Sequence, residues 1–67
     1  MIVYVDIMEK LAARGFSSYR LRQEKLLPES TLTRIRNGTP VSTDTIDRLC
    51  ELLECQPGDI LRWEPGE

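Results

Sequence analysis

The sequence contains no histidine and only two cysteines among its 67 residues. Cys50 and Cys55 have no Cys-x-x-Cys partner, and a structural metal site needs more ligands than these two residues supply. We therefore expect no metal and no cofactor. We interpret both cysteines as small buried apolar residues rather than as a redox pair.

Catalytic groups are also missing from the sequence. It has no histidine that could act as a general base, no glycine-rich phosphate-binding loop and no nucleophile with a plausible base beside it. A chain of this length buries only about 60% of the surface that its unfolded form exposes, so a core and an enzyme cleft would compete for the same residues. These absences argue against an enzyme.

Long apolar runs are absent as well. A bilayer-spanning helix needs about 18 or more apolar residues, and no stretch of the sequence approaches that length. Residues 1–5 are apolar, but no basic residue precedes them and Asp6 follows, so they do not resemble a signal peptide. We expect a cytoplasmic protein with neither a membrane nor a small-molecule partner.

The charged residues are segregated along the chain, although the formal net charge is only -2. Residues 16–43 contain five basic and two acidic side chains, whereas residues 44–67 contain two basic and seven acidic ones. This asymmetry is typical of a protein that turns one face toward a polyanion and another face away from it. Ordinary solvated helix faces would give the same composition, so charge alone leaves both interpretations open.

Capping residues divide the chain into short helices. Asp6 followed by Glu9 has the spacing of a capping box, and Gly15 supplies a left-handed residue that ends a helix. Ser17 and Ser42 are favourable N-caps for two further helices. The predicted helices cover about 6–14, 18–24, 29–36 and 43–54. The signals for the third of these are described next.

The third predicted helix, 29–36, has the most distinctive pattern. Pro28 suits its start because proline has no N–H to leave unsatisfied, and the Asn-Gly pair that follows the helix ends it. Only Leu32 and Ile35 are apolar within it. The helix therefore has a narrow buried stripe and a broad polar face.

The ends of the chain favour β-structure. Residues 1–4 and 60–63 are short segments rich in residues that favour strands, and they could pair as a small ribbon. Pro57 begins a last short turn. The sequence thus predicts one all-α domain over residues 1–67, a compact bundle of about five short helices to which a terminal β-ribbon could be added.

The second and third predicted helices are each about two turns long, and a linker of about four residues joins them. This is the form of a helix-turn-helix. In that motif the first helix crosses the phosphate backbone of DNA, and the second presents polar residues to base edges in the major groove. We therefore place a helix-turn-helix at about 17–37, with 29–36 as its recognition helix.

Several segments resemble the lambda-repressor-like family of phage Cro and repressor proteins, and together they cover nearly the whole chain in order. The first two are residues 17–21 and 27–38, the latter with the run Ser-Thr-Leu-Thr-Arg-Ile-Arg-Asn-Gly. Residues 41–50 and 55–61, the latter reading Cys-Gln-Pro-Gly-Asp-Ile-Leu, are similar to a compact subgroup of bacterial regulators with little beyond the DNA-binding domain.

The resemblance implies particular contacts with double-stranded DNA. Arginine can bind guanine O6 and N7 through two hydrogen bonds, and glutamate can accept one from the cytosine amino group. A glutamate at this place could equally stabilise the helix N-terminus through the macrodipole. The residues placed opposite base edges are Glu29, Ser30 and Arg34. Those placed near phosphates are Ser17, Ser18, Thr33, Arg36 and the backbone at Asn37.

Three residues depart from the family pattern. Leu26 stands where a turn glycine is usual, and Arg22 stands where a small residue packs between the two helices. Pro28 replaces a hydroxyl side chain that would cap the third helix. We therefore expect the turn around Leu26 to differ from that of the family or to be strained.

Two functions remain open from the sequence. The first is a sequence-specific transcriptional regulator that binds DNA as a homodimer, because one recognition helix contacts too few bases for operator-level specificity. The second is a protein-binding module on the same fold, antirepressor-like or antitoxin-like, that uses its acidic tail.

Ile60, Leu61 and Trp63 are predicted at the dimer interface, unless they close the core against residues 1–5. Tyr19 is interpreted as partly core.

Overall fold

The computed structural model describes residues 1–66 and is mostly helical. Its α-helices begin and end within one residue of the predicted bounds, and the all-α bundle is confirmed. In chain order the elements are β1 (Ile2–Tyr4), α1 (Ile7–Ala13), α2 (Ser18–Gln23), α3 (Glu29–Asn37), α4 (Thr43–Leu53), a single 3₁₀ turn (Pro57–Asp59) and β2 (Leu61–Trp63).

The terminal ribbon is formed. β1 and β2 are antiparallel, with Ile2 opposite Trp63 and Tyr4 opposite Leu61. Opposite residues in an antiparallel pair share one face, so these four apolar side chains lie on the same side of the ribbon. Tyr4 and Leu61 pack against the core, whereas Ile2 and Trp63 are 54% and 65% exposed.

One apolar core joins the four helices, the α2–α3 turn and the residue before β2. Within residues 1–66 no polar or charged side chain is buried in it. Its two members on α3 are the apolar pair that the sequence predicts as a buried stripe. The buried residues are Ile7, Leu11, Leu21, Leu27, Leu32, Ile35, Leu49, Leu53 and Ile60.

Within residues 1–66, all four α-helices end in the same way. After the last turn comes a residue with left-handed backbone, and the next N–H donates to the carbonyl five residues earlier, which is a Schellman ending. The left-handed residues are Gly15, Lys25, Gly38 and Glu54, with φ of 85°, 56°, 72° and 51°. The closing N···O distances, in the same order, are 2.8, 2.9, 2.9 and 3.1 Å.

The capping box predicted at Asp6 is wrong. Asp6 has left-handed backbone, with φ of 50°, and in the described part of the chain its side chain makes no capping hydrogen bond to α1. The Val5 N–H donates to the Ile60 carbonyl at 2.9 Å, so the chain stays in register with the ribbon until it reaches Asp6. The sharp turn from the ribbon into α1 therefore falls on Asp6 and replaces the extended backbone that an N-cap needs.

Several predicted burials also differ from the structure. Tyr19 is 67% exposed, because α2 buries only the side that carries Leu21. Of the residues predicted either at a dimer interface or in the core, Trp63 is exposed and does not close the core, whereas Ile60 is fully buried in it. The two cysteines are free thiols and are half-buried rather than buried.

The structure adds two findings on membranes and metals. Among residues 1–66, none of the helices has the length and apolar character that a membrane span requires. In the same residues, no group of three or more histidine, cysteine, aspartate or glutamate side chains is placed so that it could hold a metal ion.

Candidate nucleic-acid interface

α2, the turn after it and α3 are held together by three buried leucines. Leu21 of α2, Leu27 of the turn and Leu32 of α3 are 0%, 3% and 0% exposed. Burial of these side chains fixes the inner side of α3 against the protein. Its outer side, with the polar residues, is left facing solvent.

The turn after α2 has its left-handed residue one position before Leu26. Lys25 carries the left-handed backbone, and the Leu26 N–H donates to the Leu21 carbonyl at 2.9 Å. Leu26 is half-buried against the core. A lysine therefore occupies a conformation that favours glycine.

The start of α2 is capped as predicted. The Ser17 Oγ accepts the Arg20 N–H at 3.1 Å. The Ser18 Oγ accepts Arg36 Nη2 at 2.5 Å, which joins the first turn of α2 to the last turn of α3. Each serine hydroxyl still has its own hydrogen to donate. Two residues assigned to phosphates, Ser18 and Arg36, are thus in contact.

The start of α3 is formed without a capping side chain. Pro28 has extended backbone, with φ of -70° and ψ of 155°, and its carbonyl accepts the Leu32 N–H at 3.1 Å. At the other end, the left-handed Gly38 ends the helix as predicted. Proline thus serves as N-cap because it contributes no amide of its own.

The exposed polar residues of α3 form what we call the outer face. Successive residues turn by about 100° around a helix, so this face is divided into a middle row opposite the buried stripe and two edges. All six of its residues are exposed. From one edge to the other they are Arg34, then Ser30, Asn37 and Thr33 in the middle row, then Glu29 and Arg36.

Glu29 is paired with two arginines in the free protein. Its Oε2 lies 3.4 Å from Arg22 Nη1, and its Oε1 lies 3.9 Å from Arg36 Nη1. The three side chains are 42–53% exposed, and exposed pairs of this kind contribute only about 0–1 kcal/mol to stability. The glutamate therefore offsets positive charge on this edge more than it holds the helices together.

Arg34 lies at the opposite edge, beside the loop between α3 and α4. Its Nη1 donates to the Pro40 carbonyl at 3.4 Å, a long hydrogen bond that is readily exchanged. The Tyr4 hydroxyl donates to the Thr39 carbonyl in the same loop. Burial raises the pKa of Tyr4, and the nearby Arg34 guanidinium partly opposes that shift.

Arg22 is a candidate site residue that the sequence reasoning did not include. Its guanidinium is exposed, its Nε donates to the Ser18 carbonyl at 3.3 Å, and it faces Glu29. The family pattern concealed it, because a small residue usually packs at that position. The spacing could have revealed it, since residues four apart on a helix share a face and Arg22 follows Ser18 by four.

Comparison with known proteins gives two matches. A family model described as the Cro/C1-type HTH (helix-turn-helix) DNA-binding domain matches residues 6–66. An uncharacterized HTH-type transcriptional regulator of Bacillus subtilis (strain 168), YozG, is 33% identical over 69 aligned positions, which cover 100% of this chain and 80% of the relative. No solved structure matches the chain.

Proposed function

We propose that this chain, which belongs to the family of Cro/C1-type helix-turn-helix DNA-binding domains, regulates transcription by reading double-stranded DNA with α3 in the major groove. The family is one of DNA-binding domains and not of enzymes. The observation that carries the proposal is the outer face of α3, which is polar and exposed along its whole length while the opposite side is anchored in the core. A recognition helix needs this combination.

In this proposal residues 17–37 are the helix-turn-helix of a single cytoplasmic domain, and the outer face supplies the base contacts. Glu29, Ser30 and Arg34 read bases. The Arg34 bond to the loop is long enough to be given up for a guanine. Glu29 must give up its ion pairs with Arg22 and Arg36 before its carboxylate can accept a hydrogen bond from cytosine. Phosphates are bound by Ser17, Ser18, Thr33, Arg36 and the backbone at Asn37.

The contact between Ser18 and Arg36 supports the phosphate assignment. A hydroxyl donor from α2 and a guanidinium from α3 lie 2.5 Å apart at the same edge of the motif. One phosphate oxygen pair could accept from both groups, which would position the protein on the backbone without reading sequence. The pair therefore fits a register-fixing role, in contrast to the base-reading role of Arg34.

The proposal includes a homodimer on DNA that uses the apolar face of the ribbon. Ile2 and Trp63 project from this face and are exposed. Beside them, an open cleft of about 550 Å³ runs between the ribbon and the start of α4, lined by Leu61, Val41 and Ile46 among others. Exposed apolar surface of this kind marks interaction sites. Ile60 is excluded from the interface because it is buried.

Binding to a random-sequence duplex at increasing salt tests DNA binding as such. Affinity should fall linearly on a logarithmic scale, with a slope of about -0.9 for each phosphate neutralised. Selection of bound sequences from a random pool should then give two half-sites about one helical turn apart. Absence of duplex binding at low salt would instead favour the protein-binding module, whose partner would meet the acidic residues 44–67.

A further inference from the structure

The end of α4 brings the two cysteines of the chain together. The Cys55 N–H donates to the Cys50 carbonyl at 3.1 Å, and Glu54 between them is left-handed. These are the two positions of a Schellman ending whose side chains usually make an apolar contact. The same positions hold Leu11 with Phe16 after α1, and Leu21 with Leu26 after α2. After α4 they hold two thiols.

The backbone geometry of this ending suits a disulfide. A disulfide needs Cα atoms about 4.4–6.8 Å apart, and the direct N–H···O bond at 3.1 Å keeps the two residues near that range. Both side chains pack against the same core, and burial raises the pKa of the Cys50 thiol, with further contributions in the same direction from the nearby Cys55 thiol, Asp47 and Asp59. Sequence spacing alone does not reveal this contact, because it depends on the left-handed turn at Glu54.

Reagents from solvent can reach both thiols. Cys50 and Cys55 are half-buried, and both line an open cleft of about 570 Å³ between α4 and the 3₁₀ turn. The other walls of the cleft include Ile46, Gln56 and Pro57. A buried structural cysteine is inert, but these two are accessible from the cleft.

We propose that Cys50 and Cys55 form a dithiol site that is oxidised by low-molecular-weight disulfides to an intramolecular disulfide. The thiolate of Cys55 attacks one sulfur of the small disulfide, which forms a mixed disulfide and releases one small thiol. The thiolate of Cys50 then attacks the Cys55 sulfur, which forms the Cys50–Cys55 bond and releases the second small thiol. Two protons and two electrons pass from the protein to the small disulfide, so the exchange balances.

The surroundings of Cys50 favour an order in which Cys55 attacks first. Its raised pKa leaves less thiolate at neutral pH, and the thiolate is the attacking form. Cys50 therefore acts second, when the mixed disulfide on Cys55 is held against it by the helix ending. The bond closes residues 50–55 and fixes the end of α4. The outer face of α3 takes no part, so the site is independent of DNA binding.

The experiment equilibrates the full chain with a series of oxidised and reduced glutathione mixtures, blocks remaining thiols and measures the products by mass spectrometry. We expect the wild type to lose two hydrogen atoms in mass, to keep its monomer mobility on a non-reducing gel and to give a peptide cross-linked between Cys50 and Cys55. Cys50→Ser and Cys55→Ser should instead stop at the mixed disulfide with glutathione. Circular dichroism of each variant confirms that it is folded.

A matched control moves one thiol by a single residue. In the double variant Cys55→Ser with Gln56→Cys, the Schellman contact is lost but the number of thiols is kept. Its intramolecular bond should need a more oxidising mixture, with an effective concentration lower by roughly tenfold or more. The proposal is overturned if the wild type accumulates mixed disulfides or linked dimers, if both thiols resist oxidation, or if the shifted pair closes as readily as the native one.

Discussion

The turn between α2 and α3 depends on a single residue in an unfavourable conformation. Lys25 has φ of 56°, and a non-glycine residue in this region carries strain of about 1 kcal/mol or more. We expect Lys25→Gly to raise the free energy of unfolding by about 0.5–1 kcal/mol, since part of the relief is lost to the larger entropy of unfolded glycine. Chemical denaturation measures the difference.

The neighbouring residue provides the control for this prediction. Leu26 packs against the core and does not have the left-handed backbone, so Leu26→Gly should destabilise the protein by about 1–3 kcal/mol. If Leu26→Gly stabilised the protein and Lys25→Gly did not, the left-handed residue would be Leu26, where the family pattern has a glycine.

Glu29 is the acidic residue of the outer face of α3, and removing its charge has a predictable effect. Glu29→Gln cancels one negative charge beside Arg22 and Arg36, so binding to random duplex DNA should tighten, most strongly at low salt. Stability should change by less than about 0.5 kcal/mol because the pairs are exposed. If Glu29 also accepts from a cytosine, affinity for the selected site should fall while affinity for random DNA rises.

The matched control for this change is Glu51→Gln. Glu51 pairs with Arg48 on α4 and is itself exposed, so the substitution alters net charge equally without touching the helix-turn-helix. Equal tightening by both variants would mean that Glu29 acts only through the total charge of the protein, and its place on the DNA surface would be refuted.

The roles of residues that depend on neighbouring sequence were predictable, whereas the conformations of residues that depend on contacts distant in sequence were not. Ser17 and Gly38 act within their own helix ends, and the sequence predicts both. Asp6 fails because its conformation follows from the pairing of β1 with β2, which is distant in sequence. Lys25 is left-handed because α2 ends where the Leu26 N–H donates to the Leu21 carbonyl. This places the left-handed residue of the Schellman ending at Lys25 and not one residue later. The Glu29 pairs depend on how α2 lies against α3, which no local pattern gives.

Each helix is held mainly by one or two large apolar side chains. Leu32 on α3 and Leu49 on α4 are completely buried, and emptying a buried leucine site usually costs about 2–5 kcal/mol. Leu32→Ala or Leu49→Ala should therefore lower the free energy of unfolding by that amount, which could exceed the whole stability of so small a domain. Thermal melts followed by circular dichroism measure it.

Tyr19→Ala is the control at this scale. Tyr19 is larger than leucine but 67% exposed, and surface substitutions usually change stability by less than about 0.5 kcal/mol. A melting temperature that is unchanged by Leu32→Ala, or that falls as far in Tyr19→Ala, would show that the buried face of the helices has been assigned wrongly.

The proposed dimer is a property of the molecule as a whole, because the ribbon that carries it joins residues from both ends of the chain. We expect two proteins on each selected DNA site in sedimentation experiments. Trp63→Ser removes the largest exposed side chain of the apolar ribbon face and should weaken binding of the second protein. One protein per site at saturation in the wild type would reject the dimer.

Arg62→Ser is the corresponding control. Arg62 lies on the opposite face of the same strand, where it pairs with Glu64 at 2.7 Å, so its loss alters the ribbon without touching the apolar face. Arg62→Ser should keep two proteins on each site. If it disrupted the complex as strongly as Trp63→Ser, the interface would lie elsewhere on the ribbon.

The whole molecule also segregates its charges along the chain. The basic residues of α2 and α3 belong to the helix-turn-helix, whereas α4 and the segment after it carry most of the acidic ones. A net charge of -2 is therefore compatible with DNA binding, because the field near the outer face of α3 matters more than the total. This arrangement predicts that α2 and α3 set the orientation of the protein on DNA, and that the acidic residues of α4 and the segment after it are turned away from the DNA.

The most direct test of the central claim, that α3 reads bases, compares salt titrations of Arg34→Ala and Arg36→Ala on the selected site and on random duplex DNA. Loss of Arg34 should cost about 1–3 kcal/mol on the selected site and much less on random DNA. Loss of Arg36 should weaken both alike and lower the salt slope by about one. Equal losses on both duplexes for Arg34→Ala would make Arg34 a phosphate contact and rotate the groove assignment. Unchanged binding in both variants would show that α3 is not the recognition helix.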